Sequence, residues 1–105
     1  MTVTTEQLAD FCAAIDAKRQ AHFVRMAHFD EMRLAPTIAE VGRTYARIMV
    51  SENSIRSVFC FVRLDDGSIL KAASLYKPAN GVRGNIANGA ADVGPSGAVY
   101  LRQAR

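Results

Sequence analysis

Aromatic and basic residues alternate in two segments of the chain, and this alternation is the strongest chemical signal in the sequence. The first segment holds Tyr45 and Arg47, and the second holds Phe59, Phe61 and Arg63. Residues two apart in an extended strand point to the same face, so rings and cations would lie side by side. Rings that stack on bases, next to cations that meet phosphates, commonly hold single-stranded nucleic acid. The pattern therefore predicts a nucleic-acid-binding sheet face.

Basic and polar residues also gather between positions 71 and 85. We expect Lys71, Lys77, Arg83 and Asn85 to form an anion-binding rim, with Lys71 close to the rings. The alternative is an ordered loop in which Arg83 bonds backbone carbonyls and Asn85 forms a turn. Both interpretations stay open at the level of the sequence.

The two phenylalanines have a structural interpretation as well. A helix must cover one face of a small sheet, and both rings would pack well against Phe11, Phe23 and Phe29. Strand register decides which face Phe59 and Phe61 occupy, because a shift of one residue reverses the assignment. Burial under the helix is the favoured interpretation of the two.

Positive charge is concentrated in the C-terminal third. The chain carries a net charge of +3. Residues 1–66 contain nine acids and eight Lys or Arg, whereas residues 67–105 contain one acid, Asp92, and five Lys or Arg. A basic third is what a polyanion-binding surface needs.

Known catalytic and metal-binding patterns are absent from the sequence. There is no nucleophile elbow, phosphate loop or zinc-protease helix. His22 and His28 would lie on opposite sides of a helix and cannot grip one metal together. Cys12 and Cys60 stand in apolar patterns and are expected to be buried, reduced thiols. We therefore expect no enzyme activity, no cofactor and no metal.

The first third of the chain predicts a long helix over Thr4–Arg33. Thr4 and Gln7 have the spacing of a capping box. Apolar residues then recur at intervals of three and four, which marks one buried helix face. A bend or break between Lys18 and Phe23 is the alternative to one continuous helix.

Antiparallel strands follow the helix. The alternating segments that predict them are Thr37–Val41, Thr44–Val50, Ser57–Leu64 and Ser68–Leu75. Pro36 places the first of these at an edge of the sheet. Asp66 and Gly67 suit a two-residue hairpin turn between the last two.

One α+β domain over residues 1–105 accounts for these elements. A long N-terminal helix (1–34) packs on one face of a small antiparallel sheet of three or four strands (37–75). A loop rich in Gly and Asn and a short last strand, Ala98–Leu101, complete it (76–105). No apolar run approaches the ~20 residues that span a bilayer, so we expect no membrane partner.

The string KAAS…KPA…RGN gives the chain a likeness to known proteins. Its residues are Lys71–Ser74, Lys77–Ala79 and Arg83–Asn85. With Gly42 and the apolar strands around it, this string resembles a family of small bacteriophage proteins of unassigned function, over the segment 42–86. The resemblance implies a phage origin and action in the host cytoplasm, and it implies no particular activity.

Two functional hypotheses follow. The first is a non-enzymatic phage protein that binds single-stranded or structured nucleic acid through the basic, aromatic sheet face and the adjoining loop. The alternative is a protein-interaction module, either a modulator of a host machine or a self-associating structural part. An exposed Phe59 or Phe61, or an unpaired strand at Thr37–Val41, would supply its contact surface.

Overall fold

The N-terminal helix α1 spans Thr5–Arg25 and begins at the predicted capping box. The backbone N–H of Thr4 donates to Gln7 Oε1 (2.8 Å), and the N–H of Gln7 donates to Thr4 Oγ1 (3.1 Å). Two of the N–H groups that a helix start leaves unsatisfied are thereby bonded. The helix is continuous through Arg25, so the alternative of a break between Lys18 and Phe23 is not seen.

The structure, a computed structural model, describes residues 2–25, 34–52, 54–94 and 97–98. The predicted continuation of the helix from Met26 to Arg33 lies outside the described residues, as does most of the predicted strand Ala98–Leu101.

Five strands follow α1 and form one antiparallel meander, in which each strand pairs with the next along the chain. They are β1 (Leu34–Val41), β2 (Tyr45–Glu52), β3 (Ile55–Arg63), β4 (Ser68–Ala72) and β5 (Pro78–Asn85). A 3-10 helix (Ile86–Asn88) and a small ladder of β6 (Val93–Gly94) with β7 (Gly97–Ala98) come after them. The α+β class is confirmed, but the sheet has five strands and not three or four.

The additional strand is β5, which the sequence indicated as loop. Its residues, PANGVRGN, have low strand propensity. The strand forms because β4 provides a template beside it, pairing Ile69 with Gly84 and Leu70 with Val82. Pro78 is tolerated because it is the first residue of the strand.

The β3–β4 connection is longer than predicted. Pairing of Val62 with Ile69 leaves the segment 64–67 between the strands, so the turn has four residues and not two. Gly67 still supplies the positive φ of 79° that the turn requires. Asp66 stabilises the turn through Oδ1, which accepts a hydrogen bond from the N–H of Ser68 (2.9 Å).

The core lies between α1 and one face of the sheet. Its buried members include Leu8, Phe11, Cys12, Ile15, Ala46, Ile48, Cys60, Val62, Ile69 and Val93. Cys12 and Cys60 are buried free thiols, as predicted. Burial raises the pKa of Cys12 to about 11 and raises the pKa of Cys60 as well. Both thiols therefore stay protonated at neutral pH.

Two polar contacts fix α1 over the sheet. Lys18 Nζ donates to the carbonyls of Ala90 (2.8 Å) and Val93 (2.6 Å), which ties the helix to the segment that leads into β6. Asp16 Oδ1 accepts from the N–H (2.9 Å) and the hydroxyl (2.5 Å) of Thr37 in β1. The helix is thus held against β1, the first strand of the sheet and one of its two edges.

Candidate functional site

The predicted aromatic and basic face lies on the side of the sheet away from α1. Ala46 and Ile48 of β2 face the helix, so the alternate residues Tyr45 and Arg47 point to the other side. Phe61 of β3 pairs with Arg47 in the ladder and belongs to the same face. Its ring is 4% exposed and meets the Tyr45 ring edge to face, with centroids 6.2 Å apart.

Phe59 does not join this face. The ladder pairs Ile48 with Cys60 and Met49 with Val58, so Phe59 is the extra residue of a β-bulge. It is 4% exposed and belongs to the buried cluster of Phe11. The bulge separates two rings that strict alternation would place together. Neither ring offers a surface on which a base could stack in this structure.

Arg47 is engaged by three groups of the protein itself. Its Nε (3.0 Å) and Nη2 (2.7 Å) donate to Glu40 Oε1, and its Nη1 donates to the carbonyl of Leu75 (2.9 Å). The guanidinium carbon lies 5.6 Å from the centre of the Tyr76 ring. Arg47 therefore joins β1, β2 and the loop after β4 in a single contact set.

The Glu40 carboxylate accepts hydrogen bonds from two arginines. Its Oε2 accepts from Nη2 of Arg56 (3.0 Å), while Oε1 accepts from Arg47. Hydrogen bonds from Arg47 and then from Arg56 hold the pKa of the Glu40 carboxyl below its usual range. The carboxylate is therefore fully charged at neutral pH, and its charge is offset by the two guanidinium groups.

The remaining predicted cations differ in their surroundings. Arg63 pairs with Asp66 (3.3 Å). Lys71 and Lys77 are exposed, and Arg83 is half-buried in β5. The structure thus brings Tyr45, Arg47 and Phe61 together and leaves the exposed lysines at and beyond the end of β4.

The glycine-rich segment contains its own acid. Asp92 Oδ2 accepts from the N–H of Asn85 (3.1 Å) and from Nδ2 of Asn88 (2.9 Å). Asn85 also donates to the carbonyl of Asp66 (2.8 Å) and accepts from the N–H of Ala87 (2.9 Å). Of the two interpretations of Asn85, the turn-forming one matches these contacts.

Residue 84 must be glycine because Asp92 lies directly against it. A Cβ at Gly84 would lie 2.2 Å from Cβ of Asp92, so a side chain there would overlap the aspartate. This close approach places a carboxylate against the segment where an anion-binding rim was predicted.

Tyr76 is a surface residue that sequence reasoning passed over. Its side chain is 77% exposed. A tight loop presents it, in which Ser74 Oγ accepts from the N–H groups of Tyr76 (3.2 Å) and Lys77 (3.1 Å). Tyr76 lies in the loop between the end of β4 and Pro78, where the sequence has no periodic pattern. Its exposure is therefore seen only in the folded structure.

A second surface runs along the outer edge of β1, and we call it the β1 edge. The N–H of Gly42 donates to the carbonyl of Tyr45 (2.9 Å), which makes these two a hydrogen-bonded pair. Such pairs alternate along an antiparallel ladder. Glu40 pairs with Arg47, and Ile38 pairs with Met49. The backbone groups of Ile38 and Glu40 therefore bond β2.

The residues between them point their backbone groups away from the sheet. These are Ala39 and Val41. Asp16 bonds the N–H of Thr37. Among the described residues, no hydrogen bond reaches the backbone of Ala39 or Val41 on this side. The β1 edge consists of the outward N–H and C=O groups of Ala39 and Val41.

Apolar surface accompanies these open backbone groups. Ile38 is 52% exposed and Val41 is 62% exposed. A groove of about 390 Å³ runs between α1 and β1. Its lining includes Leu8, Ala9, Cys12, Ala13, Ala39 and Val41. Side chains of a strand added at the edge would enter this groove on one face of the sheet.

Two further properties concern only the described part of the chain. No cluster of three or more His, Cys, Asp or Glu residues there has the arrangement of a metal site. Within the same residues, no helix has the length and apolar character needed to cross a membrane.

The double pairing of Glu40 predicts an acid-dependent loss of stability. The pKa of Glu40 is lower in the folded chain, so its contribution is present above the ordinary glutamate pKa. This contribution to stability is lost as the pH falls through the lowered pKa that Glu40 has in the folded chain. We expect Glu40→Gln to lower the melting temperature at neutral pH and to flatten its decline below the glutamate range, measured by calorimetry.

The control is Asp66→Asn, because the Asp66 pKa is also lowered, mainly by hydrogen bonds from Ser68. Each variant should remove only the part of the acid-induced fall in melting temperature that its own carboxylate causes. An unchanged pH profile for Glu40→Gln would contradict the assigned role of the carboxylate.

Comparison with known proteins places the chain in a family but gives no activity. No curated protein and no solved structure matches it. The family match neither names phages nor describes an activity, so the expected phage origin and host-cytoplasm location stay predictions. The match covers residues 2–92, from α1 through the 3-10 helix that follows β5. The chain therefore belongs to the family of unknown function DUF7717.

Proposed function

We propose that this chain is a non-enzymatic protein-interaction module that accepts an extended segment of a protein chain along the β1 edge. The observation that carries the proposal is the outward backbone of Ala39 and Val41, which no hydrogen bond from residues 2–25, 34–52, 54–94 or 97–98 reaches on that side. A row of unpaired N–H and C=O groups is a template for another strand. Peptides are recognised in this way when main-chain bonds supply affinity and side-chain pockets supply specificity.

The edge has less protection at Ile38–Val41 than at its N-terminal half. Pro36 and the Asp16–Thr37 bonds cover the first half of β1. Natural sheets discourage added strands with proline or exposed charge. The one charge in the second half is Glu40, which Arg47 and Arg56 already bind. The second half is therefore open to pairing.

The groove defines the kind of segment that fits. One set of alternate side chains would enter the apolar groove beside Ala9 and Ala13. The other set would lie next to Ile38 and the bound Glu40 on the opposite face. A segment with apolar residues at every second position satisfies both the backbone groups and the groove.

A matched pair of variants at Val41 tests this proposal. Val41→Pro removes the outward N–H without touching the β1–β2 ladder, because that N–H does not bond β2. Val41→Ser keeps the N–H and removes only apolar surface. Random peptides displayed for selection against the wild-type chain provide the probe, and their affinities are measured by fluorescence polarisation.

We expect selected peptides to share alternate apolar positions. Val41→Pro should weaken their binding by roughly tenfold or more, because the variant loses one backbone hydrogen bond to the peptide and the proline ring keeps the peptide backbone from approaching the edge. Val41→Ser should bind within about threefold of wild type. Selected peptides without alternation, or equal binding to the proline variant, would refute strand addition. Comparable melting temperatures of the two variants establish that the fold is retained.

Nucleic-acid binding remains a second candidate, supported by one observation. Tyr76 is exposed beside Lys77 and above Arg47, with Lys71 exposed at the end of β4. This surface is smaller than the predicted one, because both phenylalanine rings are buried. It retains one ring for stacking and cations for phosphates.

Titration with labelled single-stranded oligonucleotides tests this second candidate. A stacked base is worth about 1–3 kcal/mol, so Tyr76→Ala should weaken binding at least about fivefold while Tyr76→Phe retains it. Lys77→Glu should reduce the salt dependence of binding. Absence of binding at micromolar protein in low salt, or affinity indifferent to salt, would exclude it.

A further inference from the structure

We propose that the segment bound at the β1 edge is β1 of a second copy of this chain, which makes the protein a two-fold symmetric dimer with one continuous sheet. This inference rests on the strand-accepting role proposed for the β1 edge. A two-fold axis perpendicular to the sheet pairs the same strand with itself in antiparallel orientation. Backbone register, charge complementarity and helix packing support this pairing.

Backbone register follows from the outward groups. Only residues that point outward on both strands can exchange bonds across the new ladder. Pairing Ala39 of one copy with Val41 of the other, and the reverse, uses all the open groups of the edge. It forms four backbone hydrogen bonds, two from each Ala39–Val41 pair. Thr37 keeps its bonds to Asp16 in this arrangement.

Charge complementarity supports the same register. In this register Arg43, in the turn that follows β1, comes close to Thr37 of the other copy, just outside the regular ladder of residues 38–41. Asp16 is bonded to Thr37 and stands at this position. Arg43 is exposed at the β1–β2 turn and has no ion pair among the described residues. Two symmetric Asp16–Arg43 ion pairs would flank the new ladder.

The axis itself passes between the two Glu40 residues. Like charges directly opposite each other destabilise a sheet. Each Glu40 carboxylate, however, already accepts hydrogen bonds from Arg47 and Arg56 of its own chain. The axis therefore carries two carboxylates among four guanidinium groups, and the repulsion is offset.

Helix packing is compatible with this symmetry. The axis places both α1 helices on the same face of the joined sheet. Thr5, Ala9 and Ala13 line the groove on the side of α1 that faces the β1 edge, and all three are exposed. Small side chains let helices approach within the usual interaxial distance of about 8–10 Å. The apolar groove and Val41 become covered in both copies.

Sedimentation equilibrium of the whole chain tests the dimer. We expect wild type and Val41→Ser to dimerise at micromolar concentrations. Val41→Pro and Arg43→Glu should each weaken association by roughly tenfold or more, while Arg43→Lys retains most of it. A dimer that persists unchanged in Val41→Pro and Arg43→Glu would overturn the inference.

Disulfide trapping tests the register. In the Glu40→Cys variant the two introduced thiols face each other across a non-hydrogen-bonded pair, where Cβ atoms are close enough for a disulfide. Residues 38 of the two copies would be separated by roughly 14 Å along the strands, at ~3.4 Å per residue. We expect Glu40→Cys to form a covalent dimer under mild oxidation and Ile38→Cys to form none. The reverse result would overturn the register.

Failure of this inference is distinguishable from failure of the proposed function. A wild-type chain that stays monomeric while selected peptides bind in a manner sensitive to Val41→Pro would leave the strand-accepting edge in place and exclude the second copy as its occupant. A wild-type chain that neither dimerises nor binds selected peptides in a manner sensitive to Val41→Pro would exclude the edge as a binding surface. A monomer that binds oligonucleotides alone would favour the Tyr76 surface.

Discussion

The direction of each backbone hydrogen-bonding group along β1 is the constraint on which the proposed function depends. Once Gly42 and Tyr45 bond across the β1–β2 turn, the alternation of the ladder sets the direction of the backbone groups from Val41 back to Ile38, where the register becomes irregular. Ile38 and Glu40 must bond β2, and Ala39 and Val41 must face outward. Asp16 satisfies the N–H of Thr37, and no other described residue bonds the outward groups of Ala39 and Val41. An unbonded row on an edge strand with apolar neighbours is costly unless water or another strand bonds it.

The other face of the sheet illustrates how intramolecular contacts use up chemical groups that look available in the sequence. Arg47 binds Glu40 and the carbonyl of Leu75, Arg63 pairs with Asp66, and Asn85 organises the turn that follows β5. Such contacts stabilise the meander, because they join strands to loops that have few apolar contacts of their own. Tyr76 and its neighbouring lysines stay exposed, and they form a small surface compared with the one predicted.

Local signals predicted the elements with a strong pattern. The capping box located the start of α1, alternation located β2 and β3, and Pro36 identified β1 as an edge strand. Two features could not be read locally. β5 has few strand-forming residues and exists because β4 and Asp92 hold it in place. The bulge at Phe59 depends on how β3 fits against β2, so simple alternation assigned both phenylalanines to one face.

The candidate site was therefore predictable in part. An unpaired strand at Thr37–Val41 was anticipated as a contact surface, since a proline before a strand favours the edge. The groove beside it was not, because it requires α1 to lie against β1, and the Asp16–Thr37 bonds that hold the helix there join residues 21 positions apart in the sequence. Burial of Phe59 in the cluster of Phe11 follows the structural interpretation that the sequence favoured for both rings, whereas Phe61 is buried on the opposite face of the sheet.

Residue-resolved amide hydrogen exchange is the most direct test of the open β1 edge. In dilute solution the amides of Ile38 and Glu40 should exchange slowly, because they bond β2, whereas those of Ala39 and Val41 should exchange at rates close to those of unstructured peptide. Equal, strong protection of all four amides in a chain of monomeric mass would contradict the account, since it would mean that the edge is already satisfied within one molecule.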